Sequence, residues 1–208
     1  MNIELSNKTI AFEGMPGSGK SSVLSRIVSK FRTIHSIDVI DQTIVDENIV
    51  HLDVLERSKK FILAEIAKNE SIIFDQNNYR FFLLDRCYIS LIAYQYSLAK
   101  TFSSYISNKA YNLIRHSIIN LIAEGKLIEP SLLIVFITSP SISIDRRKNY
   151  LFDQDNEIWF NSLFLQNMYD FYTQELYSEY FTNKSKFIIT NDVSIDCVEK
   201  AVIKCLNL

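Results

Sequence analysis

Glycine is scarce in this chain of 208 residues, and its placement limits the fold more than any other feature. Only four glycines occur, and three of them (Gly14, Gly17 and Gly19) share one short segment with Pro16. A β-prone run, KTIAFE from Lys8 to Glu13, leads into the segment, and Val23, Leu24, Ile27, Val28 and Phe31 follow it at helical spacing. The segment itself, Gly14-Met15-Pro16-Gly17-Ser18-Gly19-Lys20-Ser21 with Ser22 after it, satisfies GxxxxGK[ST]. Glycines let a backbone wrap tightly and turn its N–H groups inward. The helix that follows adds the partial positive charge of its N-terminus, so strand, loop and helix in this order make a phosphate cradle. The pattern predicts that Lys20, exposed at the loop, reaches the β- and γ-phosphates of a nucleoside triphosphate. Ser21 is expected to offer its hydroxyl to a metal ion, which makes ATP and Mg²⁺ the expected cofactors.

Composition narrows the setting. With 48% hydrophobic and 22% charged residues the chain can bury a core, and it is read as one domain over residues 1–208. A formal charge of −2 gives no global attraction to nucleic acid or to an anionic membrane, so phosphate binding must come from local groups. The start, MNIELSNK, lacks the layout of a signal peptide, and the longest apolar run, Leu132 to Ile137, is too short to span a bilayer. Cys87, Cys197 and Cys205 form an odd set without CxxC spacing, as expected of reduced thiols in a cytoplasmic protein. His35, His51 and His116 are scattered and support no zinc site.

Beyond the loop, Ser36–Ile40, Phe81–Asp85, Ser131–Thr138 and Phe187–Thr190 read as strands. Helices are predicted over Asp53–Lys68, Ser90–Ala99, Ser104–Glu124 (ending at Gly125), after Ser139-Pro140, over the aromatic stretch Glu157–Tyr180, and around Ile195, Val198 and Val202. Strands alternating with helices imply an α/β fold with a parallel sheet. The guanine-reading NKxD pattern is absent, and the chain is short for a transporter ATPase.

A second signal is FLLDRCYISLIAYQYS, Phe82 to Ser97, which sets Asp85 and Arg86 at the end of a buried strand, where such sheets bind ligands. Asp85, Arg86, Ser90, Ala93, Tyr94 and Gln95 keep a DR-x-x-x-S-x-x-AYQ spacing. With Phe12-Glu13-Gly14 before the loop, and Pro140 followed six residues later by Arg146, the chain resembles the thymidylate kinase branch of the nucleoside and nucleotide kinases. The resemblance implies a three-layer sandwich with a five-stranded parallel sheet in the order 2-3-1-4-5 and a lid over residues about 140–157. It also implies transfer of the γ-phosphoryl group of ATP to a nucleoside monophosphate or nucleoside. By that resemblance Asp85 serves the acceptor oxygen and the Mg²⁺ shell beside Ser21, Arg86 holds phosphate, Arg146 closes on the transferring group, and Asn191–Ser194 forms the adenine-side loop.

The bland readings stand beside these. Asp85 and Arg86 also suit a structural ion pair, and Arg146-Arg147-Lys148 a solvated helix face. Ser90, Tyr94 and Gln95, candidates to line the acceptor pocket, equally suit ordinary helix surface and core. Acceptor recognition departs from the family. Pro16 stands where an acidic residue is usual, DQTIVDEN replaces an arginine-glutamate-proline-glycine stretch, and Arg57 is the nearest candidate for a nucleotide-anchoring arginine. A kinase of another small metabolite, or a non-catalytic ATP-binding regulatory protein, are the alternatives. The expected partner is a small-molecule acceptor rather than nucleic acid or membrane, and the resemblance admits a homodimer.

Overall fold

The computed structural model describes residues 9–31, 34–38, 53–75, 77–148, 154–176, 185–190 and 194–206. Strands β1 (Thr9–Gly14), β2 (Ile34–Asp38), β3 (Phe81–Asp85) and β4 (Leu132–Ile137) lie parallel in the order β2-β3-β1-β4, and β5 (Ser185–Thr190) runs along β4. Seven helices accompany them among the described residues: α1 (Lys20–Lys30), α2 (Val54–Asp75), α3 (Tyr88–Phe102), α4 (Tyr105–Ala123), α5 (Pro140–Arg147), α6 (Ser162–Asp170) and α7 (Ile195–Cys205). A 3₁₀ turn spans Gln154–Phe160, and a π-helical turn, Phe171–Glu175, extends α6.

Strand periodicity divides the core. Ile10, Phe12, Leu83, Ile134 and Phe136 face α1 and α7, whereas Ala11, Phe82, Leu84, Leu133 and Val135 face the larger helical layer that includes α3 and α6. Burial on both faces explains why FFLL and LLIVFI are apolar without alternation. Parallel pairing brings Gly14, Asp85 and Ile137 to the same edge of the sheet.

Several boundaries differ from the sequence reading. The helix expected to stop at Lys68 runs on to Asp75, because fully buried Ile72 continues its core face. Helix α3 begins at Tyr88, which makes Cys87 its N-cap and places Ser90 inside the first turn. The aromatic stretch from Glu157 is three pieces rather than one helix. Ser104 and Ser139 cap α4 and α5 through their hydroxyls, and Gly125 takes a φ of 72° beyond α4. DQTIVDEN, His51, residues 149–153 of the expected lid and 191–193 of the expected adenine-side loop lie outside the described residues. No described helix is long and apolar enough to cross a membrane.

Candidate active site

The glycine loop emerges from β1 against β4. Gly14 has φ 122°, and a Cβ there would stand 2.0 Å from the carbonyl oxygen of Phe136. Met15 donates its N–H to that same oxygen at 2.9 Å and buries its side chain fully. The first glycine therefore serves close approach of two strands, and Met15, expected to bind cofactor, has its amide turned toward β4 instead. Gly17 and Gly19 hold φ of 67° and 86°, in the left-handed region. Gly19 is the N-cap of α1 and supplies no side-chain cap, so the first amides of the helix have no side-chain acceptor at the cap.

Lys20 corrects an expectation. It is buried at 4% exposure, its Nζ donating to the carbonyls of Gly14 (3.2 Å) and Met15 (2.7 Å) and to Ser18 Oγ (3.2 Å). Burial, and then the Arg86 guanidinium, push its pKa well below the usual lysine value against the opposing pull of Asp85 and Glu13. Ser21 Oγ donates to the Asp85 carboxylate, which joins the two residues expected at a metal. A hydroxyl and a carboxylate oxygen side by side are hard donors of the kind Mg²⁺ takes.

Above the loop opens a cavity of about 610 Å³. Pro16 to Ser22 line one side, Arg86, Arg146 and Arg147 form a cationic wall, and Ile195 and Val198 of α7 give an apolar one. Helix α5 grips the outside of the loop: Ser143 Oγ donates to the Pro16 carbonyl at 2.7 Å, and Arg146 to the Gly17 carbonyl at 3.1 Å. Arg146 is exposed, whereas Arg147 is half-buried over the Trp159 ring at 5.1 Å. The buried Nε of Arg147 meets no hydrogen-bond acceptor among the described residues, and burial followed by Arg86 lowers its pKa. Arg147, ranked below Arg146 from the sequence, is thus the more enclosed of the two.

Arg86 follows β3 with φ 75°, rare for a residue with a side chain. Its guanidinium donates to Ser90 Oγ at 2.9 Å and to the Gly14 carbonyl at 3.3 Å. Ser90 in turn donates to Glu13, which is fully buried and also accepts from Tyr172 Oη (3.0 Å) and Cys87 N (2.7 Å). Ser90 is therefore a brace for Arg86. Gln95 is buried at 1% and donates to Ser58 Oγ at 2.7 Å. Tyr94 packs on Trp159 and Phe164, with Arg57 close enough to act on it electrostatically. The candidates on α2 and α3 thus adjoin one another, but Gln95 and Tyr94 are more core than surface.

Comparison of the sequence with protein-family models and with curated proteins gives no match. Solved structures do match. A deoxyadenosine kinase from M. mycoides with bound dCTP superposes with a TM-score of 0.72 at 16% identity, over 96% of this chain and 98% of that one. The same enzyme with bound dATP gives 0.69 over 96% and 100%, and with dCMP and dCDP 0.67 over 96% and 98%, each at 16% identity. The fold is that of a P-loop kinase.

Within the P-loop kinase fold, sequence reasoning missed the buried residues behind the loop: Glu13, Glu65, Lys68 and Tyr172. Glu13 was visible only as part of a family motif. Tyr172 lies 159 residues from the carboxylate it meets, a pairing that no local pattern announces. Cys87, at the start of α3, has its thiol pushed up by burial and by Glu13 and Glu65, so it stays protonated and inert.

Proposed function

We propose that the chain is an ATP-dependent phosphotransferase whose acceptor is a nucleoside or a nucleoside monophosphate. One observation carries the reading: a glycine loop, its lysine, one arginine just after β3 and two from α5 converge on a single cavity at the carboxyl edge of a parallel sheet. Phosphoryl transfer needs positioning and charge stabilisation more than covalent help, and these groups supply both. The open amides of α1 and the loop would receive the phosphates. Lys20 would exchange its three internal oxygens for phosphate oxygens. Arg86 and Arg147 would meet the charge spread over the transferring group, and Arg146 would hold the loop through Gly17. Asp85 would orient the acceptor hydroxyl or take its proton. Ser21 and Asp85 would hold Mg²⁺, which offsets phosphate charge when bound.

Fold likeness to deoxyadenosine kinase favours a nucleoside acceptor, and so do Pro16 and the departures from the thymidylate kinase pattern. The test is ADP formation from ATP by purified protein against a panel of deoxynucleosides and nucleoside monophosphates. A deoxynucleoside is expected to lead, with thymidine monophosphate poor. A thymidylate kcat/KM near about 10⁵ M⁻¹s⁻¹, well within the ordinary enzyme range, would overturn the acceptor assignment. ATP binding with no acceptor-dependent turnover across the panel would overturn the activity.

A further inference from the structure

Behind the site, away from the cavity, Glu65 and Lys68 form an ion pair at 2.7 Å with side chains only 3% and 4% exposed. A pair this deep is a poor source of stability, since apolar residues of similar size usually do as well. Its value lies in what it grips. Lys68 Nζ also donates to the carbonyl oxygen of Arg86 at 3.1 Å, while the Arg86 amide donates to the Phe12 carbonyl at 3.1 Å. Both backbone groups of Arg86, the non-glycine residue of left-handed φ among the described residues at the cavity wall, are thus held, one by β1 and one by α2. Glu65 is fixed in turn, because its carboxyl group accepts from Lys68 and lies near the backbone N–H of Tyr88. Asn69, the next residue on α2, ties the helix to the Ile128 amide at 2.7 Å. An arginine released from such a grip relaxes to negative φ, which turns its Cα–Cβ bond and carries the guanidinium elsewhere.

We propose that Lys68 is a positioning residue, holding Arg86 in the left-handed backbone that points its guanidinium at the cavity and coupling that aim to α2, whose first turns carry Arg57 and Ser58. This rests on the phosphotransfer reading of the cavity. The Glu65→Gln/Lys68→Met pair leaves no buried charge orphaned and is the variant to use beside Lys68→Met. Turnover is expected to fall about 10-fold or more, as displaced catalytic groups do, and ATP affinity by less, because Lys68 reaches the loop only through Arg86 among the described contacts. The decisive readout is a double-mutant cycle with Arg86→Ala. If Lys68 acts through Arg86, its loss adds nothing once Arg86 is gone, whereas a merely structural role gives additive losses. Additive losses, or unchanged turnover, overturn the proposal. A wild-type protein without turnover would remove the phosphotransfer reading alone. The crystal structure of the Glu65→Gln/Lys68→Met variant then decides, with a negative φ at Arg86 expected and a retained left-handed φ overturning the inference.

Discussion

Lys20 is a cation held by oxygens of its own loop, and that arrangement sets a pH dependence. Its pKa is well below the usual value in the free protein. Triphosphate at Nζ favours the charged form, so binding takes up a proton wherever the free lysine has lost one. Affinity must then fall as pH rises above the free-state pKa. We expect affinity for an ATP analogue to fall with rising pH already below about 10.4, the ordinary lysine pKa, where an unshifted lysine would leave it nearly level. Lys20→Ala should remove the slope and abolish phosphotransfer. Equilibrium titrations of both proteins at stepped pH check this, and a level wild-type curve would count against it. Arg147 makes a second case. It is enclosed, near Arg86, and has an unmet Nε, so Arg147→Ala is expected to lower kcat about 10²-fold with little change in KM for ATP. Arg146→Ala, which removes an exposed side chain bonded to Gly17, should cost less. Steady-state kinetics of the two variants decide, and the reverse ranking would return the role to Arg146.

Helix α7 supplies part of the cavity wall, and it is tethered to the loop helix by charge. Glu199, on α7, pairs with Lys30 and with Arg26 (3.5 Å) on α1, and Asp196 pairs with Arg26 at 2.6 Å. The hydrogen bond from Lys30, foremost, lowers the Glu199 pKa. A carboxylate with a depressed folded pKa contributes stability above its unfolded value and loses it as pH falls through the folded one. The melting temperature of Glu199→Gln should therefore lie below that of the wild type near neutral pH, and the gap should close as pH drops below about 4.5. Melting curves from about pH 7 to about pH 3.5 test it, and a gap that stays constant at low pH would assign the residue to packing instead. A different element shows why periodicity failed along the aromatic stretch. The π-helical turn adds a residue to the helical repeat within a stretch where Phe171 and Tyr172 are both fully buried. A reading at 3.6 residues per turn loses its register at that point, and Tyr172, which reaches Glu13, lies beyond the shift.

At the scale of the molecule, the parallel sheet and the loop were legible because each is written locally: apolar runs for strands buried on both faces, glycines where the backbone must turn or touch. The sequence also put Asp85 and Arg86 beside the loop, since strand ends converge in such sheets. What it hid depends on long-range packing. Nothing near Lys20 announces that its own loop will enclose it, and nothing near Glu65 or Lys68 separates a buried pair from an exposed one three residues apart, such as Glu56 with Lys59. The same buried carboxyl groups have a further effect. Glu13 takes the amide of Cys87 at the start of α3, with Glu65 close by, whereas the start of α1 carries no side-chain cap. Two of the helix starts near the cavity therefore differ: that of α1 carries no side-chain cap, and that of α3 is met by a carboxylate of the chain itself. A guest's negative charge thus finds backbone amides at the start of α1, and charge brought toward the start of α3 must be met by the guanidinium of Arg86, whose backbone the neighbouring elements hold.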